Sequence, residues 1–242
     1  MKFEKLVSRL RLGRRPLLAV LIDPDKFNPD LIAKADGAAV SCFLVGGSRL
    51  ETGRIGPTIK AIKKITSIPV VLFPGDEKQL HGDADGLLLL SLLSGRDPEY
   101  LIEKHVRAAP VIRKFRLPYL STAYLLISGG SRSTTQEVTG TVPLDPKNKQ
   151  YIVNTSLAAE QIGFGAIYLE AGSGAAREVN ATLIRDIRKA VSIPVIVGGG
   201  IDSPEKALAA INAGASMIVI GNALEKNVYL LAGISKLFKK KR

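Results

Sequence analysis

Apolar residues in this chain form short, nearly continuous runs of Val, Ile and Leu, and most runs are followed by a segment with helical spacing. Continuous runs are typical of strands buried on both faces, and their alternation with helices is typical of a parallel sheet. Because one such strand–helix unit follows another, we predict a (β/α)8 barrel, which usually needs about 250 residues. The predicted strands are Leu17–Ile22, Cys42–Val45, Val70–Phe73, Gly86–Leu90, Tyr119–Ile127, Ala166–Glu170, Val195–Gly198 and Met217–Ile220.

Most of the segments between these strands have the spacing of an outer helix, and two do not. Leu72–Asp85 is too short and too rich in Gly and Asp for a full helix, so we expect a reduced unit after the third strand. Ser128–Lys149 has no apolar period, and a loop of that length is usually a lid or a substrate loop. We treat residues 1–242 as a single domain. The predicted helices are Pro29–Ala35, Ile55–Ile65, Pro98–Lys104, Asn154–Ile162, Asn180–Ala190 and Pro204–Ala213.

The last two predicted strands both end on glycine. Gly199 and Gly200 follow one of them, and Gly221 and Asn222 follow the other. A residue without a Cβ lets backbone N–H groups come close to an anion. In barrels of this kind, phosphate is often bound in the loops after strands seven and eight. The pattern therefore predicts binding of a phosphorylated small molecule.

Hydroxyl and carboxylate oxygens follow the first two strands. Asp23 comes directly after the first strand and is expected to face inward, although a turn or N-cap role would also explain it. Asp25 is expected to cap the next helix. Ser48 closes the turn after the second strand, where it offers a hard oxygen ligand or is simply a turn residue. Since Mg²⁺ suits one or two protein oxygens plus substrate phosphates, the pair predicts a substrate that carries a diphosphate.

The sixth strand carries the candidate base. Tyr168 and Glu170 are two positions apart, so they lie on the same face of the strand. If that face is the barrel interior, Glu170 is a buried carboxylate that can accept a proton from a substrate hydroxyl. A structural pairing of Glu170 with Lys or Arg is the alternative. The glycines on either side of Ser173 form a turn that can hold phosphate.

The net charge and its distribution limit the kinds of molecule that the chain is expected to bind. The formal net charge is +12, and basic residues gather at both ends of the chain. No nucleic-acid-binding module accompanies them, so anionic lipid headgroups, an anionic substrate or a merely solvated tail remain as explanations. These residues are Arg9, Arg11, Arg14 and Arg15 near the start, and Lys236, Lys239, Lys240, Lys241 and Arg242 at the end.

The few cysteine and histidine residues exclude other chemistry. Cys42 is the single cysteine, and its apolar neighbours predict a buried structural thiol in a reducing cytosol. His81 and His105 have neither metal-ligand spacing nor a catalytic-triad context. The sequence has no secretory signal and no apolar run long enough to cross a bilayer, so we expect a cytoplasmic protein.

Five segments together resemble the geranylgeranylglyceryl phosphate synthases, the prenyltransferases that make the first ether bond of archaeal lipids. These segments are LIDPDK from Leu21, VGGS from Val45, YLEAGSG from Tyr168, VGGGI from Val197 and IGNALE from Ile220. All come in the family's order and cover nearly the whole barrel. The long YLEAGSG form is similar to the archaeal-type branch. The related bacterial heptaprenyl enzymes have a shorter YxEYSG form and a lysine at the position of Leu21.

The resemblance implies a reaction and its participants. The family transfers a geranylgeranyl group from geranylgeranyl diphosphate to the C3 hydroxyl of sn-glycerol 1-phosphate. It implies Mg²⁺ bound by Asp23 and Ser48, with Glu170 as the base and Tyr168 beside it. The implied glycerol 1-phosphate site consists of Tyr168, Leu169, Glu170, Ala171, Gly172, Ser173, Gly174, Gly199, Gly200, Gly221 and Asn222.

The prenyl chain would need an apolar groove. Ala123, Tyr124 and Leu125 on the fifth strand are candidates, although core packing explains them equally well. Apolar helix faces are compatible with a dimer or larger assembly, and we expect a homo-oligomer.

Other functions compatible with the glycine-ended strands are a sugar-phosphate isomerase or lyase, a flavin-binding barrel, and a non-catalytic module that binds a phosphorylated metabolite. The isomerase or lyase has no need of Asp23 and Ser48 as ligands for a diphosphate-bound metal, and a flavin-binding barrel would be yellow when purified. A binding module would keep its only activity without Glu170.

Overall fold

The computed structural model describes residues 2–239, which contain a closed barrel of parallel strands in sequence order. The barrel closes because the first strand pairs with the last, with Leu17 opposite Met217. The predicted fold class is therefore confirmed. The strands are β1 (Leu17–Ile22), β2 (Cys42–Val45), β3 (Val70–Leu72), β4 (Gly86–Leu92), β5 (Tyr119–Leu126), β6 (Ala166–Glu170), β7 (Val195–Gly198) and β8 (Met217–Ile220).

Helices surround this barrel, and short helical turns fill several connections. A π-helical turn, Glu99–Glu103, runs directly into α4, and 3-10 turns form at Pro24–Lys26, Glu77–Gln79 and Lys236–Phe238. The α-helices are α1 (Phe3–Leu12), α2 (Pro29–Ala35), α3 (Ile55–Ile65), α4 (Lys104–Phe115), α5 (Thr134–Thr139), α6 (Lys149–Gln161), α7 (Ala181–Ala190), α8 (Pro204–Asn212), α9 (Asn222–Lys226) and α10 (Leu230–Ser235).

Two helices are longer than the sequence predicts. The segment Pro98–Lys104 is only the beginning of a helical stretch that continues through Pro110 to Phe115. Helix α6 begins at Lys149 rather than Asn154, and the added first turn brings Ile152 into the core, where it is fully buried. Burial of apolar surface stabilises that turn more than local propensity predicts.

The two exceptions to the regular pattern have different outcomes. The reduced unit is confirmed, since the connection from β3 to β4 contains only the 3-10 turn Glu77–Gln79. The predicted loop Ser128–Lys149 instead contains α5, whose first turn is capped by Ser133 accepting a hydrogen bond from the Gln136 N–H. Helix α5 covers the end of the barrel at which the strands terminate.

Helix α1, which the strand-based reading missed, covers the opposite end of the barrel. Its buried residues Phe3, Leu6 and Leu10 belong to the same apolar cluster as the inward-facing side chains of the strands. Phe3 lies against Gly86, where a β-carbon would be 2.2 Å from the phenyl ring. Spacing of three and four residues is the amphipathic signal that identifies this helix in the sequence.

Strand alternation divides the core into an inner and an outer layer. On β1, Leu17 and Ala19 belong to the interior cluster, whereas Leu18 and Val20 pack against the helices. No helix within residues 2–239 combines the length and the apolar character needed to cross a membrane. Of the predicted basic ends, residues 240–242 lie outside the described part of the chain.

Candidate functional site

A cavity of about 300 Å³ lies where the strands end at their carboxyl termini. This is the end at which barrels of this fold carry their active sites. Both cationic side chains and carboxylates line it, so the cavity suits an anionic ligand together with acid–base chemistry. Among the lining residues are Asp23, Lys26, Ser48, Arg49, Tyr124, Thr135, Tyr168, Glu170, Gly172, Ser173, Gly174, Gly199, Gly200, Gly221, Asn222, Glu225 and Lys226.

One wall consists of the three glycine-containing loops after β6, β7 and β8. The first and last of these loops touch, because the Ser173 hydroxyl donates a hydrogen bond of 3.0 Å to Oδ1 of Asn222. All the predicted glycines of this wall line the cavity. Backbone surfaces without side chains can approach an anion closely, and we name this wall the glycine wall.

Gly200 is held between two of these loops. It has a φ of +68°, and a β-carbon there would lie 2.7 Å from the backbone nitrogen of Glu178. Lys206 ties the same region together, donating to the Gly200 carbonyl at 3.2 Å and pairing with Asp202 at 2.9 Å. The loop shape therefore depends on glycine at this position.

Glu170 ends β6 at the bottom of the cavity and is buried. Its carboxylate accepts hydrogen bonds from the Gly172 N–H at 2.7 Å and from the Tyr168 hydroxyl. Burial raises the pKa of this carboxyl to about 7, because removal from water disfavours the charged form. These partners replace the alternative pairing with Lys or Arg, and a carboxyl with this pKa can exchange a proton near neutral pH.

Tyr168 lies beneath Glu170 in an aromatic cluster inside the barrel. Its ring stacks on Tyr124 with centroids 5.3 Å apart, and it packs against Phe73 at 5.1 Å. Burial and the nearby Glu170 carboxylate raise the pKa of the Tyr168 phenol well above its ordinary value. The phenol therefore stays protonated and acts as a hydrogen-bond donor to Glu170.

The opposite wall contains Asp23, Ser48 and Lys26. Asp23 accepts a hydrogen bond from the Asp25 N–H, and its second oxygen is 3.8 Å from Nζ of Lys26. Lys26 also pairs with Glu225 at 3.2 Å. The Ser48 hydroxyl is 2.9 Å from the Thr135 hydroxyl on α5.

The donor set of this wall fits a hard cation bound together with a diphosphate. Two oxygen ligands are few for a metal held by protein alone, and residues 2–239 contain no group of three or more His, Cys, Asp or Glu side chains suited to one. Mg²⁺ commonly takes one or two protein oxygens and completes its shell with water and phosphate. Asp23 and Ser48 both line the cavity and are oxygen donors of this kind. We name their side of the cavity the diphosphate wall, after the ligand that the sequence predicts there.

Asp25 does not have its predicted role. Helix α2 is capped by Asn28, whereas the Asp25 carboxylate accepts backbone hydrogen bonds from Glu51, Thr52 and Gly53. These bonds lower the pKa of Asp25 to about 2. The residue therefore fixes the loop that follows β2, a long-range function that local spacing does not indicate.

An apolar groove of about 100 Å³ opens beside the cavity. Ser48, Tyr124 and Thr135 line both spaces, so the groove joins the cavity between the diphosphate wall and α5. Of the three candidates on β5, only Tyr124 lines the groove. Ala123 and Leu125 face the helices, because strand alternation turns them outward. Apolar groove residues include Leu80, Leu89, Leu90, Leu92, Tyr100, Ala108 and Val138.

Two predicted binding residues do not line the cavity. Leu169 points outward from β6, and Ala171 packs in the same outer layer while its N–H bonds to the Gly198 carbonyl. The remaining predicted site residues lie together at the cavity. Cys42 is buried in the barrel interior, where burial raises the pKa of its thiol to about 12, as expected of a structural cysteine.

Gly198 is a site residue that the sequence reading missed. A β-carbon there would lie 2.3 Å from the Tyr168 hydroxyl. The sequence shows Gly198 as the first residue of a glycine run, but it does not show the contact of this residue with Tyr168.

Comparison with known proteins gives one consistent family. Residues 13–237 match the PcrB family. The geranylgeranylglyceryl phosphate synthase of Spirosoma linguale is 44% identical over 225 residues, which are 91% of this chain and 90% of that protein. The protein of the same name from Korarchaeum cryptofilum is 36% identical over 236 residues, 96% of this chain and 97% of that protein.

A solved structure is similar along the whole chain. It is the crystal structure of (S)-3-O-geranylgeranylglyceryl phosphate synthase from Thermoplasma acidophilum in complex with sn-glycerol-1-phosphate. The two chains are 32% identical and superpose with a TM-score of 0.89, and the match covers 99% of each.

Proposed function

The chain belongs to the PcrB family, and on that premise we propose that it is a Mg²⁺-dependent geranylgeranylglyceryl phosphate synthase. It transfers the geranylgeranyl group of geranylgeranyl diphosphate to the C3 hydroxyl of sn-glycerol 1-phosphate. The C1–O bond of the prenyl diphosphate breaks, and the diphosphate leaves with the bonding electron pair. A new ether bond forms between C1 and the glycerol oxygen, whose proton passes to Glu170.

The observation that carries this proposal is that the cavity containing Glu170 opens into a chemically different space. Glycines line that cavity, and the apolar groove joins it at Tyr124. A small phosphorylated alcohol suits the first space, and a prenyl chain suits the second. The buried carboxyl, with a pKa raised to about 7 by desolvation, lies where the two reactants would meet.

The glycine wall binds the glycerol phosphate. Residues of the loops after β6, β7 and β8 line the cavity, among them Ser173, Gly200 and Gly221. Their backbone N–H groups and the hydroxyl of Ser173 are the donors that we propose for the phosphate. Binding by backbone groups leaves the phosphate fixed and directs the glycerol hydroxyl toward Glu170. Holding two reactants in a productive arrangement lowers a barrier by up to about 7–11 kcal/mol in the best intramolecular cases.

Glu170 removes the hydroxyl proton, and Tyr168 holds the carboxylate in place. The Tyr168 hydroxyl and the Gly172 N–H both donate to Glu170, which fixes the direction of its free lone pairs. A base with a pKa near the working pH combines a large deprotonated fraction with useful basicity.

The diphosphate wall binds the leaving group. Asp23 and Ser48 would hold Mg²⁺, which neutralises negative charge as the diphosphate departs. Lys26 and Arg49 line the same side of the cavity and add positive charge. The groove excludes water from the prenyl chain, which protects an allylic cation-like centre from hydrolysis.

The groove also distinguishes this function from the alternatives. A sugar-phosphate isomerase or lyase uses one small polar substrate and has no need of an apolar channel that joins the phosphate cavity. A non-catalytic binding module has no need of a buried carboxyl whose pKa is raised to about 7. A flavin-binding barrel would yield yellow protein, which inspection of the purified chain tests directly.

The test is a product assay with purified protein, Mg²⁺, sn-glycerol 1-phosphate and a series of prenyl diphosphates of different length. We expect a prenyl glyceryl phosphate by mass spectrometry, with geranylgeranyl diphosphate as the preferred donor. sn-Glycerol 3-phosphate is the matched control for the acceptor, and EDTA is the control for the metal. Absence of product with every donor, or turnover that EDTA does not reduce, contradicts the proposal.

Three further expectations stay predictions. They are a homo-oligomeric state, a cytoplasmic location, and contact of the basic chain ends with a membrane surface. Size-exclusion chromatography with light scattering tests the first, and sedimentation with anionic vesicles tests the last.

A further inference from the structure

Gln79 is a buried polar residue at the end of the 3-10 turn between β3 and β4, and it joins two backbone loops at the cavity. Its side-chain oxygen accepts hydrogen bonds from the N–H groups of Gly47 and Gly75, each at 3.3 Å. Its side-chain nitrogen donates to the Gly47 carbonyl at 2.7 Å. Only 6% of the residue is exposed, so water cannot replace these bonds.

The two loops that Gln79 joins touch backbone to backbone. A β-carbon on Gly46 would lie 2.1 Å from the Phe73 carbonyl oxygen, and one on Gly75 would lie 2.7 Å from the Cα of Ser48. No side chain fits between the loops at these distances. The amide of Gln79 bonds to both loops at this close backbone contact, next to Ser48.

Neighbouring groups support the same contact from outside. Nζ of Lys104 donates to the Gly75 carbonyl at 2.8 Å and pairs with Asp76 at 3.1 Å. On the far side of Ser48, the Asp25 carboxylate accepts the N–H groups of Glu51 and Thr52. The loop that carries Ser48 is thus fixed at both ends by side chains from other parts of the barrel.

We propose that Gln79 is a positioning residue for the diphosphate wall, and this inference rests on the proposed function of Ser48. Its amide fixes Gly47 through both backbone groups, and Gly47 directly precedes Ser48. The short 3-10 turn that replaces a helix after β3 brings this amide against the loop that carries Ser48. Without it, the Ser48 hydroxyl samples several positions, and binding of the metal-bound diphosphate weakens.

Two variants test the inference, so that it can still be tested if one of them does not fold. Gln79→Leu removes all three hydrogen bonds. Gln79→Glu keeps the shape and both acceptor interactions but sets an oxygen against the Gly47 carbonyl. Gln150→Leu is the matched control, because Gln150 lies exposed on α6 and its side chain donates a hydrogen bond to Asn154, away from the cavity. Circular dichroism and melting temperature establish that each variant is folded.

The measurement compares the two walls by calorimetry, with inorganic diphosphate plus Mg²⁺ as one probe and sn-glycerol 1-phosphate as the other. We expect both Gln79 variants to weaken diphosphate binding about tenfold, because hydrogen bonds that position Ser48 are lost. Their affinity for glycerol 1-phosphate should stay within about twofold of the wild-type value. The KM for geranylgeranyl diphosphate rises in parallel, while the KM for glycerol 1-phosphate stays constant.

Unchanged diphosphate binding in both variants overturns the inference. So does an equal loss for both ligands, which indicates general destabilisation. The calorimetric comparison needs no turnover, so it decides this point even if wild-type protein makes no ether product and the proposed function fails.

Discussion

A β-carbon on Gly199 would lie 2.2 Å from Oε1 of Glu170, so glycine at position 199 leaves the volume that the base occupies. Gly198 likewise leaves room for Tyr168, which is the hydrogen-bond partner of Glu170. A β-carbon on Gly198 would lie 2.3 Å from the Tyr168 hydroxyl. The glycine run that begins at the end of β7 therefore makes room for the Glu170 carboxylate and the Tyr168 hydroxyl. This steric role is separate from the phosphate binding that we propose for the same loop.

Gly199→Ala is expected to abolish most activity by displacing the Glu170 carboxylate. Position 199 also has a φ of +78°, so backbone strain contributes to the effect. Gly37→Ala separates the two causes, because Gly37 has a φ of +85° and open space around its β-carbon position. Steady-state kinetics should show a loss of about 100-fold for the first variant and little change for the second. Similar activity in both would argue against a steric role.

Glu170→Gln should lower kcat by about 10² to 10⁴, the usual contribution of a general base. In the wild type, kcat should rise with pH through the pKa of Glu170, which is raised to about 7 by burial, because only the carboxylate accepts the proton. The residual activity of the variant should lose this rising limb. A pH–rate series on both proteins checks the assignment, and a limb that persists in the variant would place the base elsewhere.

The same variant should stabilise the ligand-free protein at alkaline pH. The pKa of Glu170 is about 7 in the folded chain against an ordinary value of 4.5, so folding favours the protonated form. The cost of the buried charge is absent below pH 4.5, grows as the pH rises, and is complete above pH 7. Glu170→Gln avoids it, and the gain should reach about 2–3 kcal/mol at pH 8.

Thermal or urea unfolding at pH 5 and pH 8 measures this difference. The stability gap between variant and wild type should widen with pH. A gap that is constant between the two pH values would show that Glu170 is not a desolvated carboxylate.

Asp23→Asn should reduce turnover far more than glycerol 1-phosphate binding. The asparagine oxygen can still accept the Asp25 N–H, so the local turn is kept, but the negative charge for Mg²⁺ is lost. We expect a loss of about 100-fold in kcat/KM for the prenyl diphosphate. Asp145→Asn is the matched control, since Asp145 accepts the Lys147 N–H in a similar turn outside the cavity. If acceptor binding falls more than turnover, the metal lies elsewhere.

Gly221→Val should weaken glycerol 1-phosphate binding about tenfold or more by filling the glycine wall. A β-carbon at this position is 3.3 Å from Cβ of Leu21, which is tight but tolerable, and both residues line the cavity. Gly233→Val gives comparable crowding, 3.2 Å from Pro204, at a site on α10. Calorimetric titration with glycerol 1-phosphate distinguishes them, and equal affinity in both variants would contradict the role of the wall.

Much of the fold and of the glycine wall could be predicted because their signals are local. Strands buried on both faces have continuous apolar sequences. A glycine at the end of a strand indicates a loop, and this signal does not depend on which residues the loop contacts. Strand alternation likewise places Tyr168 and Glu170 on one face. The same rule, applied to Leu169 and Leu125, would have turned both away from the site.

The residues that were misread or missed act over long sequence distances. Asp25 holds backbone groups of a loop some 26 residues away, and Gln79 reaches one 32 residues away. The sequence predicts a phosphate role for Gly199 and Gly200, but it does not show that Gly198 lies against the Tyr168 hydroxyl. Such partners are set by the register of neighbouring strands, and a single sequence does not contain that register.

The reduced unit after β3 leaves the flank of the barrel open. Leu89 belongs to the layer of side chains that elsewhere packs under a helix, yet here it lines the groove together with Leu80 and Ala108. The outer face of the barrel at β4 thereby provides a second surface for a ligand, in addition to the cavity at the strand ends. An apolar reactant can enter through the groove and a polar reactant through the cavity. The two would then meet only where these spaces join, at Ser48, Tyr124 and Thr135.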